Sequence, residues 1–231
     1  MPEDYESNPK RRRIRPEVLV APKSRFTIRI DRIPKDEQQK TLVEHLNKIL
    51  DRDDFLKTEV NGSSLEVHSI APFSPNAECA TVSFEASLPP KDLASRLKRA
   101  GRDFPYQYSH DFDGLTPLYC CPGGAEVDVI AVPGLGSHAL GSWKTPDSDQ
   151  VWLRDFLPQD LPKIRVLIYG YDTTLQDSAS KQCLSGLGRT LLEELVDFRT
   201  RDSTTHRPII FIGHSLGALG HRSAQPRRSS T

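Results

Sequence analysis

What this 231-residue chain lacks narrows its function first. It lacks net charge: 31 Lys and Arg balance 31 Asp and Glu, so no long-range field argues for nucleic acid or an acidic membrane surface. No stretch approaches the roughly 18 apolar residues of a spanning helix, so no transmembrane segment is expected. The N-terminus is acidic and then basic, without the apolar centre of a secretory signal. Cys79, Cys120, Cys121 and Cys183 have no metal-ligand spacing and read as free thiols of a reducing compartment. Mean hydropathy is −0.50, low for a packed chain, which points to tail and linker within the length. After Ser215 the chain has no Asp, no Glu and a single His, His221.

What is present divides into segments. Residues 1–22 are polar, with the basic run Lys10, Arg11, Arg12, Arg13 and Arg15, and read as a disordered basic tail. Such a run can serve as a nuclear import signal or simply as a solvated tail. Residues 23–112 read as a small α+β unit. Phe26, Ile28 and Ile30 alternate with Thr27, Arg29 and Asp31 in a half-buried strand ended by Pro34. Asp36 is expected to cap a helix whose stripe is Leu42, Val43, Leu46, Ile49 and Leu50. Strands follow near residues 65–70 and 79–86, then a helix opened by Pro89, Pro90 and Asp92, then a strand in 106–112. The order βαββαβ is that of a ferredoxin-like, split βαβ unit.

That order resembles an RNA-recognition motif, which stacks bases on aromatic rings of its first and third strands. Here Arg29, Cys79 and Thr81 occupy the three ring positions, which argues against nucleic acid and leaves protein contact as the role of residues 25–112.

Residues 113–126, with Pro117, Pro122, Gly123 and Gly124, read as a linker. A second unit then shows three short apolar runs, 127–132, 163–169 and 208–212, suited to buried parallel strands. A helix over 180–199 carries Leu184, Leu187, Leu191, Leu192, Leu195, Val196 and Phe198, and a shorter one is expected over 149–156. Strands alternating with helices imply a parallel α/β sheet. The last run leads into Gly213-His214-Ser215-Leu216-Gly217, the Gly-x-Ser-x-Gly turn that exposes a nucleophilic serine. The missing Cβ atoms of Gly213 and Gly217 let strand and helix approach while Ser215 takes a strained turn. An acyl-transfer site also needs donors for its oxyanion. These are expected from the N–H of Leu216 and from the loop Gly134, Leu135 and Gly136. As a phosphate loop 133–138 fails, lacking a Gly-Lys-Ser/Thr ending, and no cofactor or metal is expected.

Several linked strings carry a resemblance. They are Asp113-Gly114-Leu115-Thr116-Pro117-Leu118, Gly134 through Lys144, Val151-Trp152-Leu153-Arg154-Asp155-Phe156-Leu157-Pro158, Tyr169-Gly170-Tyr171-Asp172, and Gly213 through Leu219. Together they resemble the serine-active-site-containing, lipase-like (DUF676-like) α/β-hydrolase family, which in fungi often precedes NACHT or ankyrin-repeat regions. The resemblance covers residues 113–219 and implies an acyl-ester hydrolase with Ser215 as nucleophile. It also implies an ester or lipid substrate and an intracellular place, in association with mitochondria or endoplasmic reticulum. Two departures stand out: Pro133-Gly134 where the family has His-Gly, and a polar run after residue 219, broken by Pro226. That run reads like translation through an intron or out of frame.

The expected fold is therefore α/β: a ferredoxin-like unit (23–112), a linker (113–126), the first half of an α/β-hydrolase (127–219) and an aberrant tail (220–231). His221 lies six residues past Ser215, about 9 Å along a helix and on another face, outside the reach of a general base. His138 reads as structural, and Asp172 as the close of a strand. The chain is expected to be an incomplete, inactive serine esterase or lipase domain. The alternative is a non-catalytic N-terminal interaction module of a NACHT or ankyrin-type signalling protein.

Overall fold

The structure, a computed structural model, describes residues 23–172 and 181–215, and the side chains of all of these except 181–185. It is a mixed α/β protein with two four-stranded sheets. Chain order in the first unit is β1 (Ser24–Pro34), α1 (Gln39–Asp51), α2 (Asp54–Glu59), β2 (Glu66–Ser74), β3 (Ala77–Ala86), α3 (Pro90–Ala100) and β4 (Gln107–Ser109). The strands pair antiparallel in the order β2-β3-β1-β4.

The alternation of β1 settles its two faces. Ile28 and Ile30 pack with Val82, Phe84, Leu42, Leu46, Leu93 and Leu97 beneath the helices. Arg29 and Asp31 point the other way and are buried too. Asp36 does not cap α1. It has φ +68° in the turn after β1, and α1 begins at Gln39 behind Gln38, whose side chain makes no capping bond. A carboxylate cap appears one helix later: Asp53 accepts from Phe55 N at 2.9 Å and Leu56 N at 3.2 Å.

The second unit runs β5 (Gly114–Cys120), β6 (Val127–Val132), α4 (Trp152–Asp155), α5 (Leu157–Asp160), β7 (Ile164–Gly170), α6 (Lys181–Arg201) and β8 (Ile209–Gly213). The sheet order is β5-β7-β6-β8, with β6 parallel to β7 and β8, and β5 antiparallel to β7. The stretch 113–126 is thus more than a connector, because it supplies β5. Pro117 hides that strand in the sequence. At the edge of a sheet a missing N–H is tolerated, and the register shifts between Pro117 and Tyr119. The helix expected over 149–156 shrinks to the single turn of α4. Leu191, Leu195 and Phe198 of α6 cover one sheet face against Ile130, Val132, Leu167 and Tyr169. Trp143, Val151 and Leu153 cover the other, against Val129, Ala131, Val166 and Ile168.

The units meet through the polar face of the first sheet. Arg29 Nη1 donates to the Asp113 carbonyl at 2.6 Å and to Thr116 Oγ1 at 2.9 Å, while its Nε is held by Asp31. Arg154 Nη1 donates to Thr81 Oγ1 at 3.3 Å, and Arg25 pairs with Asp149. Arg29, Cys79 and Thr81, the three positions that would stack bases, are all buried. Among the described residues no helix is long and apolar enough to cross a membrane.

Candidate functional site

The two ends of β6 are built differently. At its start lies Asp128, fully buried. Arg165 grips it from β7 with two bonds of 2.9 and 2.7 Å. Arg207 Nη1 donates at 2.9 Å, and Arg199 Nε stands 3.3 Å away. Arg199 also donates to the carbonyls of Thr204, Thr205 and Arg207, closing the turn from α6 into β8. Burial opposes the charge on Arg165, but Asp128 and Asp202 more than offset it, and its pKa is raised. This cluster fixes the sheet and the entry to β8; one carboxylate held by hydrogen bonds from Arg165 and Arg207 with Arg199 close by has a structural role.

At the other end β6 and β8 finish side by side, with Val132 opposite Gly213. His214 N donates to the Val132 carbonyl at 3.0 Å. Ser215 then turns out of the strand with φ +52°, a left-handed conformation that costs an L-residue about 1 kcal/mol or more. It is exposed. Gly134 lies directly against it. A Cβ at Gly134 would stand 3.0 Å from Ser215 Cβ and 3.1 Å from the His214 carbonyl oxygen. A side chain there would be tighter than ordinary contact, so glycine suits that approach. Gly136 follows with φ +67°. Among the described residues the N–H groups of Gly134, Leu135 and Gly136 have no hydrogen-bond acceptor. Gly213, His214, Ser215 and Gly134 are therefore close together, with Leu135 and Gly136 following Gly134 in the chain. Leu216, Gly217 and His221 lie outside the described residues.

The loop between Gly134 and Gly141 is pinned by groups whose roles the sequence did not reveal. Tyr171 Oη donates to the Pro133 carbonyl at 2.9 Å. His138 Nδ1 accepts the N–H groups of Leu140 and Gly141 at 3.2 and 3.1 Å, and its Nε2 meets the His110 carbonyl at 3.0 Å. Both ring nitrogens of His138 are thus committed, and it has none left to take a proton from Ser215. His214 has its ring 6.2 Å from Trp143 in an edge-on arrangement. Asp111, Asp113, Ser137, His138, Tyr171 and Asp172 line a cleft of about 400 Å³ beside the loop. The recurrence of Tyr around Gly170, in Tyr169-Gly170-Tyr171-Asp172, was the only sequence signal for the Tyr171 anchor.

Other reactive groups sit elsewhere. Burial pushes the Cys79 and Cys120 thiols up, away from the nucleophilic thiolate form. Glu66, His68 and Asp149 converge closely enough to suggest a metal site. Yet Arg25 pairs with both carboxylates, Lys144 Nζ stands 2.9 Å from Asp149, and His68 Nε2 is 2.7 Å from Ser83 Oγ. Cationic side chains already supply the charge that an ion would bring.

No family model matches the chain, and no solved structure matches it. The chain is similar to Protein SERAC1 of Bos taurus, 25% identical over 135 residues, which are 50% of this chain and 20% of that protein. Protein SERAC1 of Homo sapiens is 26% identical over 125 residues, 46% of this chain and 18% of the relative. Protein SERAC1 of Danio rerio is 29% identical over 112 residues, 41% and 17% respectively. The chain thus spans a fifth or less of the length of these relatives, and the similarity reaches about half of the chain.

Proposed function

We propose that the second unit is the front half of an α/β-hydrolase-type serine esterase or lipase, with Ser215 as nucleophile and an acyl ester as substrate. The observation that carries this reading is the left-handed turn at Ser215, set at the end of a parallel strand and so close to Gly134 that a Cβ there would stand 3.0 Å from Ser215 Cβ. A serine at the carboxyl end of a parallel strand, held in a left-handed turn next to a loop whose N–H groups have no acceptor among the described residues, suits acyl transfer: attack at a carbonyl, then charge on an oxygen. Gly134, Leu135 and Gly136 would donate to that oxygen together with the N–H of Leu216. The strand order supports the same fold, because β8 lies beside β6 with β7 on its other side, as the resembled fold arranges them. The similarity to SERAC1 proteins points to a lipase-like, hydrolase-related function. On the same grounds the first unit is proposed to be ferredoxin-like, from its antiparallel order β2-β3-β1-β4 and its helices on one face.

The base and acid are not among the groups gathered around Ser215. His138 is committed, and no side chain among the described residues hydrogen-bonds Ser215. With the chain spanning a fifth or less of its relatives, both partners are proposed to come from a longer product. The test is to sequence the cDNA across the codons for Leu219 and Gly220 and assay what it encodes on p-nitrophenyl butyrate. A spliced transcript that supplies an acid and a histidine is expected to give hydrolysis that Ser215→Ala abolishes. A transcript that stops after Thr231, with no hydrolysis, would favour the second reading, an interaction module. That reading has its own support in the buried Arg29 and Arg154 contacts that join the two units.

A further inference from the structure

We propose that His138 is a positioning residue: a neutral imidazole clasp through which the first unit sets the loop facing Ser215. The role of that loop rests on the hydrolase reading; the clasp itself does not.

The hydrogen bonds define the tautomer. Two backbone N–H groups, of Leu140 and Gly141, point at Nδ1, so Nδ1 carries a lone pair and no proton. The proton of the neutral ring is then on Nε2, which donates to the His110 carbonyl. One ring thus joins the loop after β6 to the strap 110–113 that leaves the first unit. Packing holds the ring in that pose. Phe112 meets it edge-on at 5.4 Å, and a side chain at Gly141 would press on its Cβ at 3.3 Å.

The strap is itself fixed from both units. Phe112 takes φ +60°, and its carbonyl lies where a Cβ of Gly170 would be, so β7 must end in glycine there. Arg29 of β1 holds the Asp113 carbonyl and Thr116. Tyr171, next to Gly170, holds the Pro133 carbonyl. The segment between Pro133 and His138 is consequently tied at both ends, by Tyr171 to the end of β7 and by His138 to the strap. Among the described residues the N–H groups of its middle have no acceptor, and Gly134 comes close to Ser215. Titratable groups around the ring are the carboxylates of Asp111, Asp113 and Asp172, which share its cleft, and the imidazole of His110, 3.0 Å from Asp111. The first unit thereby acquires a function that base stacking does not supply: it is the platform against which the loop is set.

The test begins on the unaltered chain. Nitrogen-detected NMR of the His138 ring at neutral pH should show a protonated Nε2 and a bare Nδ1. In His138→Phe, amide exchange at Leu140 and Gly141 should accelerate about tenfold, with shifts at the Gly134 and Gly136 amides. His138→Asn offers an oxygen acceptor to the same two N–H groups but cannot reach His110. It should restore protection at Leu140 and Gly141 while leaving Gly134 and Gly136 displaced. A ring protonated on Nδ1, or Gly134 and Gly136 amides indifferent to both substitutions, would overturn the proposal. Because the tautomer is read without any substitution, a variant that fails to fold does not rescue it. Labelling of Ser215 by a fluorophosphonate in the longer product separates the two ideas. An unlabelled serine with an intact clasp defeats the hydrolase reading alone; a labelled serine in a chain with the other tautomer defeats the clasp alone.

Discussion

The two ends of β6 are held in order by different means. At the Asp128 end a buried carboxylate is surrounded by Arg165, Arg199 and Arg207. At the Val132 end there are glycines, left-handed backbone at Gly136 and Ser215, and loop N–H groups that have no acceptor among the described residues. A parallel sheet leaves its carboxyl end open for ligands, so a scaffold that must stay put concentrates its charge cluster at the opposite end. On the proposed function, stability and reactivity would be separable along a single six-residue strand.

Substitutions should pull these ends apart. The largest effect is expected from Asp128→Ala, which removes the buried carboxylate that Arg165, Arg199 and Arg207 share and leaves Arg165 with the Asp202 carboxylate. A loss of about 3–5 kcal/mol is expected in urea unfolding, enough to unfold a marginal domain. Gly134→Ala comes next and should act in the opposite sense. Its methyl would stand 3.0–3.1 Å from Ser215 and His214, so the loop or the turn must give by a few tenths of an ångström, at about 1–3 kcal/mol by analogy with overpacked cores. Ser215 labelling in the longer product should fall far more than stability does. Equal losses in both would erase the distinction between the two ends.

A smaller effect is expected at the seam between the units. Burial, then the nearby Arg154, lowers the pKa of His68 from 6.5. The unfolded chain therefore binds the proton first. Stability from this residue is full above pH 6.5 and is lost as pH falls through the depressed folded value. The thermal midpoint of the protein should drop on acidification more steeply than that of His68→Gln. Smallest of all is Ile210→Lys on β8. Ile210 is 48% exposed, so the change should cost within about 0.5 kcal/mol. β8 pairs with β6 on one side only among the described residues, and a lysine on such an edge blocks strand addition. Less self-association in sedimentation is the expected outcome.

How much of this was legible depended on range. The apolar runs of β6, β7 and β8 and the stripe of α1 were plain, because burial of a strand or a helix face leaves a local period. Ser215 and the Gly134–Gly136 loop stand out in the sequence as motifs, and their roles are part of the proposed function. β5 was not, since Pro117 contradicts a central strand and only its edge position excuses it. Asp36 looked like a cap by residue type, yet its φ of +68° puts it in the preceding turn. The Asp128 cluster and the His110–His138 link had no signature at all: their partners lie 28 to 79 positions apart, and no periodicity connects them.

If the turn at Ser215 and the Gly134 loop form one reactive site, a serine-directed probe should find it. Peptide mapping of a fluorophosphonate adduct on the longer, spliced product would decide the matter. A single modified serine is expected, Ser215, with labelling that Ser215→Ala removes and Gly134→Ala sharply slows. An unmodified Ser215 in a product that does supply an acid and a histidine would contradict a shared reactive site.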